Sequence, residues 1–346
     1  MPAISNSNSM QATVAVIVVT WNASHLIKGV LEALSHQTLR PVHTLLIDND
    51  SDDADRLHAV AAAFPDCETI MLSENIGFAA ANNLGIQRYV DVEFIALLNP
   101  DAYPEPEWLE RLVTAARQYP DSASFGSRML DFHDPSLLDG AGDALSLTGM
   151  PGRRGHRQPA AGNYLTPSEI FSPCAAAALY RAALLNEVRG FDPSFFCYVE
   201  DVDLGFRLRL AGYSARYVPD SQVRHIGSAI TGRRSEFSVY HGQRNLVINF
   251  LKNMPLPLLC ALLVPHIAIN LAYILAGMLS GRGLTVWRAK RDALLRLPAT
   301  LTARKEVQRQ RRASSIDILR ALSLTRGTPK CCQQPPGGTT RATKRK

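Results

Sequence analysis

Val14 to Thr20 is an unbroken, largely β-branched apolar run, the pattern of a strand covered on both faces of a parallel sheet. Leu26, Ile27, Val30, Leu31 and Leu34 follow at helical spacing, and a second apolar run, Thr44 to Ile47, ends in Asp48. The unit reads β-α-β. It repeats through an alanine-rich helix to Phe64, a strand Thr69 to Leu72, a helix Phe78 to Tyr89 and a strand Phe94 to Leu98 ending in Asn99-Pro100-Asp101. Alternation at this pitch predicts a doubly wound, mostly parallel α/β sheet whose ligands lie beyond the carboxyl ends of its strands. Asp48 and Asp101 both stand at such ends and are expected to face one crevice, although either one taken singly is explained equally well as a helix cap.

From Asp131 to Pro173 the pattern dissolves into Gly, Pro, Asp and Arg, and a structureless loop of that length is expected to order over a ligand. Regular structure resumes at Ala175 to Tyr180, a short helix Ala182 to Val188 and a turn at Gly190 to Pro193. Glu200 to Leu210 reads as a helix burying Val202, Phe206 and Leu210, with Arg207 and Arg209 as solvated partners. Glu200 and Asp201 sit at its N-terminal end, where the helix dipole favours acids whatever their task.

Leu256 to Leu279 is the most apolar stretch and nominally long enough to cross a bilayer. Pro265, His266 and Asn270 interrupt it, and Arg282, Arg288, Lys290 and Arg291 follow. If the catalytic part and the basic tail lie on the same cytoplasmic side, a single crossing conflicts with the positive-inside rule, so a broken pair of short helices entering one leaflet is expected. Leu284 to Leu297 then carries Leu284, Trp287, Leu294 and Leu295 near one face, as interfacial helices do. The competing reading is an ordinary buried helical hairpin. Charge supports the membrane: residues 1 to 280 hold 20 Lys/Arg against 28 Asp/Glu, and residues 281 to 346 hold 17 against 3. A basic tail beside an apolar segment suits an anionic membrane surface, and nucleic acid becomes a minor reading.

The length of 346 residues and 46% hydrophobic content allow one large α/β domain with an appendage. The expected organisation is a disordered start at 1–12, a catalytic domain at 13–255, a helical membrane-associating region at 256–324 and a disordered basic tail at 325–346. The six cysteines show neither a CxxC pair nor a secreted disulfide framework, and reduced buried thiols in a cytosolic setting are expected. Cys331 and Cys332 leave open a lipidation or redox site. No export signal is read at the N-terminus, which makes the acceptor spacing Asn22-Ala23-Ser24 a chance match.

The chemistry lies in two acidic stretches, Asn99-Pro100-Asp101 and Glu200-Asp201-Val202-Asp203. A diphosphate leaving group needs a cation held by carboxylate, and an attacking hydroxyl needs a separate carboxylate to take its proton. With Val18 to Asn22, Ser35 to Gln37, Ile47 to Ser51, Asn75 to Gly85 and Tyr198 to Leu204, these motifs resemble the inverting family 2 glycosyltransferases, in particular the bacterial rhamnosyltransferase-like branch. The resemblance runs from about Val14 to Pro255 and implies a GT-A fold, a nucleoside-diphosphate-sugar donor and a divalent metal, Mg²⁺ or Mn²⁺.

Carried onto this sequence, the resemblance puts Thr20 and Asn22 on the nucleotide and gives Asp48 the base or ribose. Asn75, Gly77 and Asn83 would lie along nucleotide and sugar. Asp101 would hold the metal, with Asn99 at the first position of the usual acidic pair. Asp201 would be the general base, with Glu200 its rival, and Asp203 would brace the helix start. His225 matches a place where related enzymes give an imidazole to the metal, although a lone histidine is more often structural. Arg233, Arg234 and Arg244 follow in a segment that could close over the diphosphate.

The implied activity is transfer of a deoxyhexose such as rhamnose from a dTDP or UDP donor to a polyprenyl-diphosphate-linked or polysaccharide acceptor, on the cytoplasmic face of the cell membrane. Galactofuranosyl and other hexosyl enzymes share these motifs. A sugar-phosphate nucleotidyltransferase is disfavoured because Thr20 to Ser24 replaces the Gly-rich, Arg-containing loop expected there. A non-catalytic nucleotide-sugar binder is disfavoured because Asp101, Asp201 and His225 occur together.

Overall fold

The computed structural model describes residues 12–227, 232 and 235–323. The Ser/Asn-rich start, Ser228, Arg233, Arg234 and the tail with Cys331 and Cys332 lie outside the described residues. Strands β1 (Val14–Thr20), β2 (His43–Asp48), β3 (Cys67–Met71) and β4 (Phe94–Leu98) alternate with helices α1 (Ser24–Ser35), α2 (Ala54–Ala61) and α3 (Gly77–Arg88). β1 is wholly buried and runs parallel to β2 on one side and β4 on the other. The chain therefore reverses its winding at β1, which opens a crevice beyond the ends of β1 and β4.

Past β4 the sheet becomes mixed. β5 (Ala102–Pro104), α4 (Trp108–Gln118) and β6 (Ser122–Asp131) lead to β7 (Leu138–Gly140), β8 (Asp143–Leu145), β9 (Pro151–Arg153) and β10 (Ser168–Ile170). β11 (Ala177–Arg181) then inserts antiparallel between β4 and β6, and α5 (Ala182–Glu187) and α6 (Glu200–Leu210) precede β12 (Ser214–His225), which lies parallel to β6. Among the described residues the order is β10-β12-β6-β11-β4-β1-β2-β3. The stretch expected to be one long loop thus holds short paired strands: β7 joins β6, and β8 pairs with β9.

Arg207 and Arg209 are buried, a correction to the expectation of solvated charges. Arg209 is spent on the Phe171 and Ile170 carbonyls and on Glu169. Arg207 belongs to a charged cluster joining α6 to α7 (Glu236–Asn253). Its Nε donates to Asp203 at 2.8 Å, while Lys252 Nζ lies 2.6 Å from Asp203 and 2.5 Å from Asp192. Asn253 adds a 2.7 Å bond to Asp203. Asp203 therefore anchors α6 to α7 rather than bracing its own helix start.

Four more helices follow among the described residues: α8 (Leu256–Leu279), α9 (Gly283–Leu295), α10 (Leu297–Arg309) and α11 (Ser315–Ser323). α8 is continuous through Pro265, where the sequence predicts a broken pair. The proline removes one backbone bond, but Leu258, Leu259 and Leu262 before it and His266 after it rest on the same core, which keeps both halves in line. The His266 ring stacks on Phe250 at 3.8 Å and its Nδ1 bonds the Thr148 carbonyl.

Burial pushes the Asp192 carboxyl up, but Lys252 overrides it and holds it at about 2. Lys252→Met leaves Asp192 and Asp203 without their ammonium and is expected to cost ~3–5 kcal/mol in chemical denaturation at neutral pH. The Asp192 share of that stability is complete above pH about 4 and fades toward pH 2, as the folded carboxylate takes up the proton already bound by the unfolded chain. The wild-type and variant stability curves should therefore converge on acidification. Parallel curves would contradict this assignment.

Candidate functional site

The end of β4 turns through Asn99-Pro100-Asp101 into β5, and β5 pairs with β12 so that Ala102 faces His225. The Ile226 amide donates to the Asp101 carbonyl, locking the two segments in register. This brings His225 Nε2 within 3.2 Å of Asp101 Oδ1. The other ring nitrogen, Nδ1, lies 2.8 Å from Asp139 Oδ2 on β7. Asp101, Asp139 and His225 are all buried. Burial pushes the imidazole down, but Asp101 and Asp139 together outweigh it and raise it to about 9.

Asp139 also accepts from Arg153 Nη1 at 2.8 Å, and Arg153 Nη2 reaches Cys174 Sγ at 3.1 Å. Burial pushes Asp139 up, but Arg153, then His225 and His156, hold it well below the usual carboxylate range. Ligating atoms of Cys174, Asp143 and Asp201 lie within 4.8 Å of one another. The contacts therefore run from Asp101 through His225, Asp139 and Arg153 to Cys174 and Asp201. Two acids a hundred residues apart in sequence are thereby linked through one run of neighbouring side chains.

The segment leading into α6 is a strained turn. Phe196, Tyr198 and Val199 have φ of 66°, 66° and 70°, and a left-handed β-branched valine is costly. Buried Asn245 on α7 holds the turn by donating to the carbonyls of Phe195, Cys197 and Tyr198 at 2.8–2.9 Å. Arg244, expected near the diphosphate, is instead buried and donates to the carbonyls of Ser194 and Phe195. The turn delivers Glu200 and Asp201 to the head of α6. Burial raises both carboxyls, and the charge of Asp201 raises Glu200 further. The amides of Ala175 and Val202 and the Arg153 guanidinium counter the rise at Asp201. Asp201 thus keeps the more anionic character of the pair.

The nucleotide-side candidates divide. Thr20 Oγ1, Asn99 Oδ1 and Glu200 Oε2 are buried without a hydrogen-bond partner, leaving unused capacity near these residues. Asp48 accepts from the Ser51 amide and hydroxyl, and Asn22 is paired with Asp52. Asn75 receives Asn49 Nδ2 and the Gly77 amide, both at 3.0 Å. A Cβ on Gly77 would meet the Phe196 ring at 2.5 Å, so this glycine, at φ 83°, admits the strained turn. Asn83 does not point along the site: both its amide atoms close on the Phe191 backbone at 2.8 Å and fix the turn after Gly190. A cavity of about 680 Å³ behind α6, lined in part by Arg189, Lys252 and Arg312, shares no residue with this cleft.

Asp139, Arg153, Cys174 and Asn245 are missed by sequence reasoning. Arg153 sits in the Gly/Pro/Arg stretch flagged as ligand-covering, and that was its only signal. The others have none.

The profile of Glycosyl transferase family 2 matches residues 15–189, and that of Glycosyl transferase family group 2 matches residues 166–276. The chain belongs to glycosyl transferase family 2. It is 31% identical over 256 residues to N-acetylglucosaminyl-diphospho-decaprenol L-rhamnosyltransferase of Mycobacterium tuberculosis, covering 67% of this chain and 82% of that one. It is 27% identical to the rhamnosyltransferase WbbL of Escherichia coli, over 61% of this chain and 83% of the relative. The mannosyltransferase PcManGT from Pyrobaculum calidifontis, solved with GDP-Man and Mn²⁺, superposes with a TM-score of 0.54 at 18% identity over 91% of this chain and 87% of that one, which establishes the shared GT-A fold.

Asn245→Ala removes three hydrogen bonds to the turn at once. It is expected to cost ~1–3 kcal/mol and to raise hydrogen exchange at the Asp203 amide, which donates to the Val199 carbonyl. Unchanged protection at Asp203 would remove Asn245 from this role.

Proposed function

We propose that this family 2 enzyme is an inverting rhamnosyltransferase, taking its sugar from a dTDP or UDP donor and passing it to a hydroxyl of a polyprenyl-diphosphate-linked or surface-polysaccharide acceptor. The reading is carried by the unbroken run of contacts from Asp101 to Asp201. The names of the two bacterial relatives support rhamnose as the sugar.

Asp101 and His225, an oxygen and a nitrogen donor with Asp139 orienting the ring, form a set that suits Mg²⁺ or Mn²⁺. The metal, when bound, supplies positive charge to the departing diphosphate. The orphaned Thr20 and Asn99 oxygens offer acceptors for donor N–H or O–H groups. Asp201 takes the proton of the acceptor hydroxyl as that oxygen bonds to the anomeric carbon from the face opposite the leaving group. The anomeric carbon–oxygen bond then breaks, and its electron pair leaves with the nucleoside diphosphate. Burial and the neighbouring Asp201 charge push the Glu200 carboxyl further up than that of Asp201.

Asp201→Asn should lower transfer ~10²–10⁴-fold while donor affinity stays within a few-fold, measured by nucleotide diphosphate release and by calorimetry. Asp101→Asn and His225→Ala should instead weaken Mn²⁺ binding at least ~10-fold by paramagnetic resonance. No release from dTDP-rhamnose, UDP-galactofuranose or other activated sugars with a lipid-linked acceptor would favour a non-catalytic binder.

The reading places the enzyme on the cytoplasmic membrane face. α8 supports this by being inside out: His266, Asn270 and Gly277 are buried against the protein, while Val264, Ile267, Leu271, Leu275, Met278 and Leu279 are exposed. The protein should float with phosphatidylglycerol vesicles, and Leu271→Glu with Leu275→Glu should leave it in the soluble fraction. Equal flotation of the double variant would argue against α8 as the contact.

A further inference from the structure

Arg153 has no part in the transfer step described above, yet it occupies the junction of both halves of the cleft. β8 and β9 pair with Asp143 opposite Arg153, so the hairpin that carries the arginine also carries one of the acids beside Asp201. Its two terminal nitrogens are divided between Asp139 and Cys174. Burial pushes the Cys174 thiol far up, so it is neutral and the guanidinium charge is not consumed by a thiolate. Ala175, the residue after Cys174, gives its amide to Asp201 Oδ2 at 3.2 Å. The position is sterically prepared as well. A Cβ on Gly140 would come within 2.7 Å of Arg153 Cδ and 2.8 Å of Cγ, so the side chain lies across a surface kept clear by a glycine.

Resting on the proposed role of Asp201, we propose that Arg153 is the positioning residue for the base, its clamped guanidinium holding the Asp201 carboxylate anionic and in place beside the acceptor. Three buried or half-buried carboxylates, Asp139, Asp143 and Asp201, lie around the Arg153 guanidinium. The other titratable groups facing Asp201 are Glu200, Cys174 and Tyr180, each of them pushed up by burial and none of them able to supply positive charge. Arg153 supplies the compensating positive charge. Its side chain remains 31% exposed. A lysine retains the charge, but its single nitrogen replaces a planar fork whose two nitrogens reach different residues.

The test compares wild type with Arg153→Gln, Arg153→Lys and Gly140→Ala by two readouts. Without substrate, the pH titration of the Ala175 amide resonance reports Asp201 ionisation, since that amide bonds Asp201 Oδ2, and it is recorded in a Glu200→Gln background to remove the adjacent coupled carboxyl. Arg153→Gln should move the midpoint up by about one pH unit or more, Gly140→Ala should move it in the same direction by displacing the arginine, and Arg153→Lys should move it less. With dTDP-rhamnose and a lipid-linked acceptor, the acid limb of the rate profile should shift by the same amount. A loss of about tenfold at neutral pH should then be recovered as pH rises. An Ala175 midpoint unmoved in Arg153→Gln, in protein whose melting shows it folded, would overturn the proposal. A uniform rate loss at every pH would likewise reduce Arg153 to a structural part. If wild type turns over no donor, the rhamnosyltransferase reading fails alone, and the Ala175 titration still decides the role of Arg153.

Discussion

Asp139 is the hinge of the site. One carboxylate oxygen receives both the His225 ring and the Arg153 guanidinium, and through these two partners it touches the Asp101 side and the Asp201 side of the cleft. Such an anion is held ionised only because cationic groups surround it; a buried carboxylate without them would be protonated, and the bridge would lapse. Family 2 chemistry needs opposite things of two acids, charge held against a diphosphate at one and a proton accepted at the other. The shared partner lets them sit in one crevice without direct contact.

The strained turn before α6 follows the same logic. Left-handed Val199 is costly, and the cost is met by α7, where Asn245 and Arg244 together bond the carbonyls of residues 194, 195, 197 and 198. Below the turn, Lys252 and Asn253 tie Asp203 on α6 to α7. Helix α6, which carries Glu200 and Asp201, is therefore fixed at its head and along its side, and under the proposed role of Asp201 its carboxylate would be held ready before substrate arrives. α7 lies outside the alternating pattern that announces the sheet, and it still does much of the positioning.

Strands β1 to β4 were legible because full burial forces continuous apolar runs, and Asp101 was legible because it ends such a run. Asp201 could be read from a helix that begins with acids. Asp139 could not: it sits in Leu138-Asp139-Gly140, three residues with no periodicity, and becomes functional only when β7 pairs with β6. Arg207 and Arg209 misled in the other direction, since charge at helical spacing ordinarily means solvent, whereas here α7 packs on α6 and the backbone carbonyls of Val188, Ile170 and Phe171 take up the two guanidinium groups. Asn83 carried the right motif but spends its amide on a backbone turn. Patterns local in sequence reported the sheet, and contacts distant in sequence built the site.

The helical end turns the usual arrangement around. At 24 residues α8 is about 36 Å long, enough to span a bilayer, yet its polar residues face the protein and its buried stripe continues from His266 to Gly277, where it meets Val286 on α9. α9 carries Arg288, Lys290 and Arg291, and Lys290 bonds the Gln243 carbonyl on α7. A perpendicular crossing would have to draw this charged helix, and α7 behind it, toward the hydrocarbon, or strip α8 from its buried stripe and leave His266 and Asn270 unpartnered in lipid. Lying flat avoids both costs: the exposed leucines meet the acyl boundary, the arginines of α9 stay at the level of anionic headgroups, and the cleft remains on the aqueous side of the leaflet from which a lipid-linked acceptor would be presented.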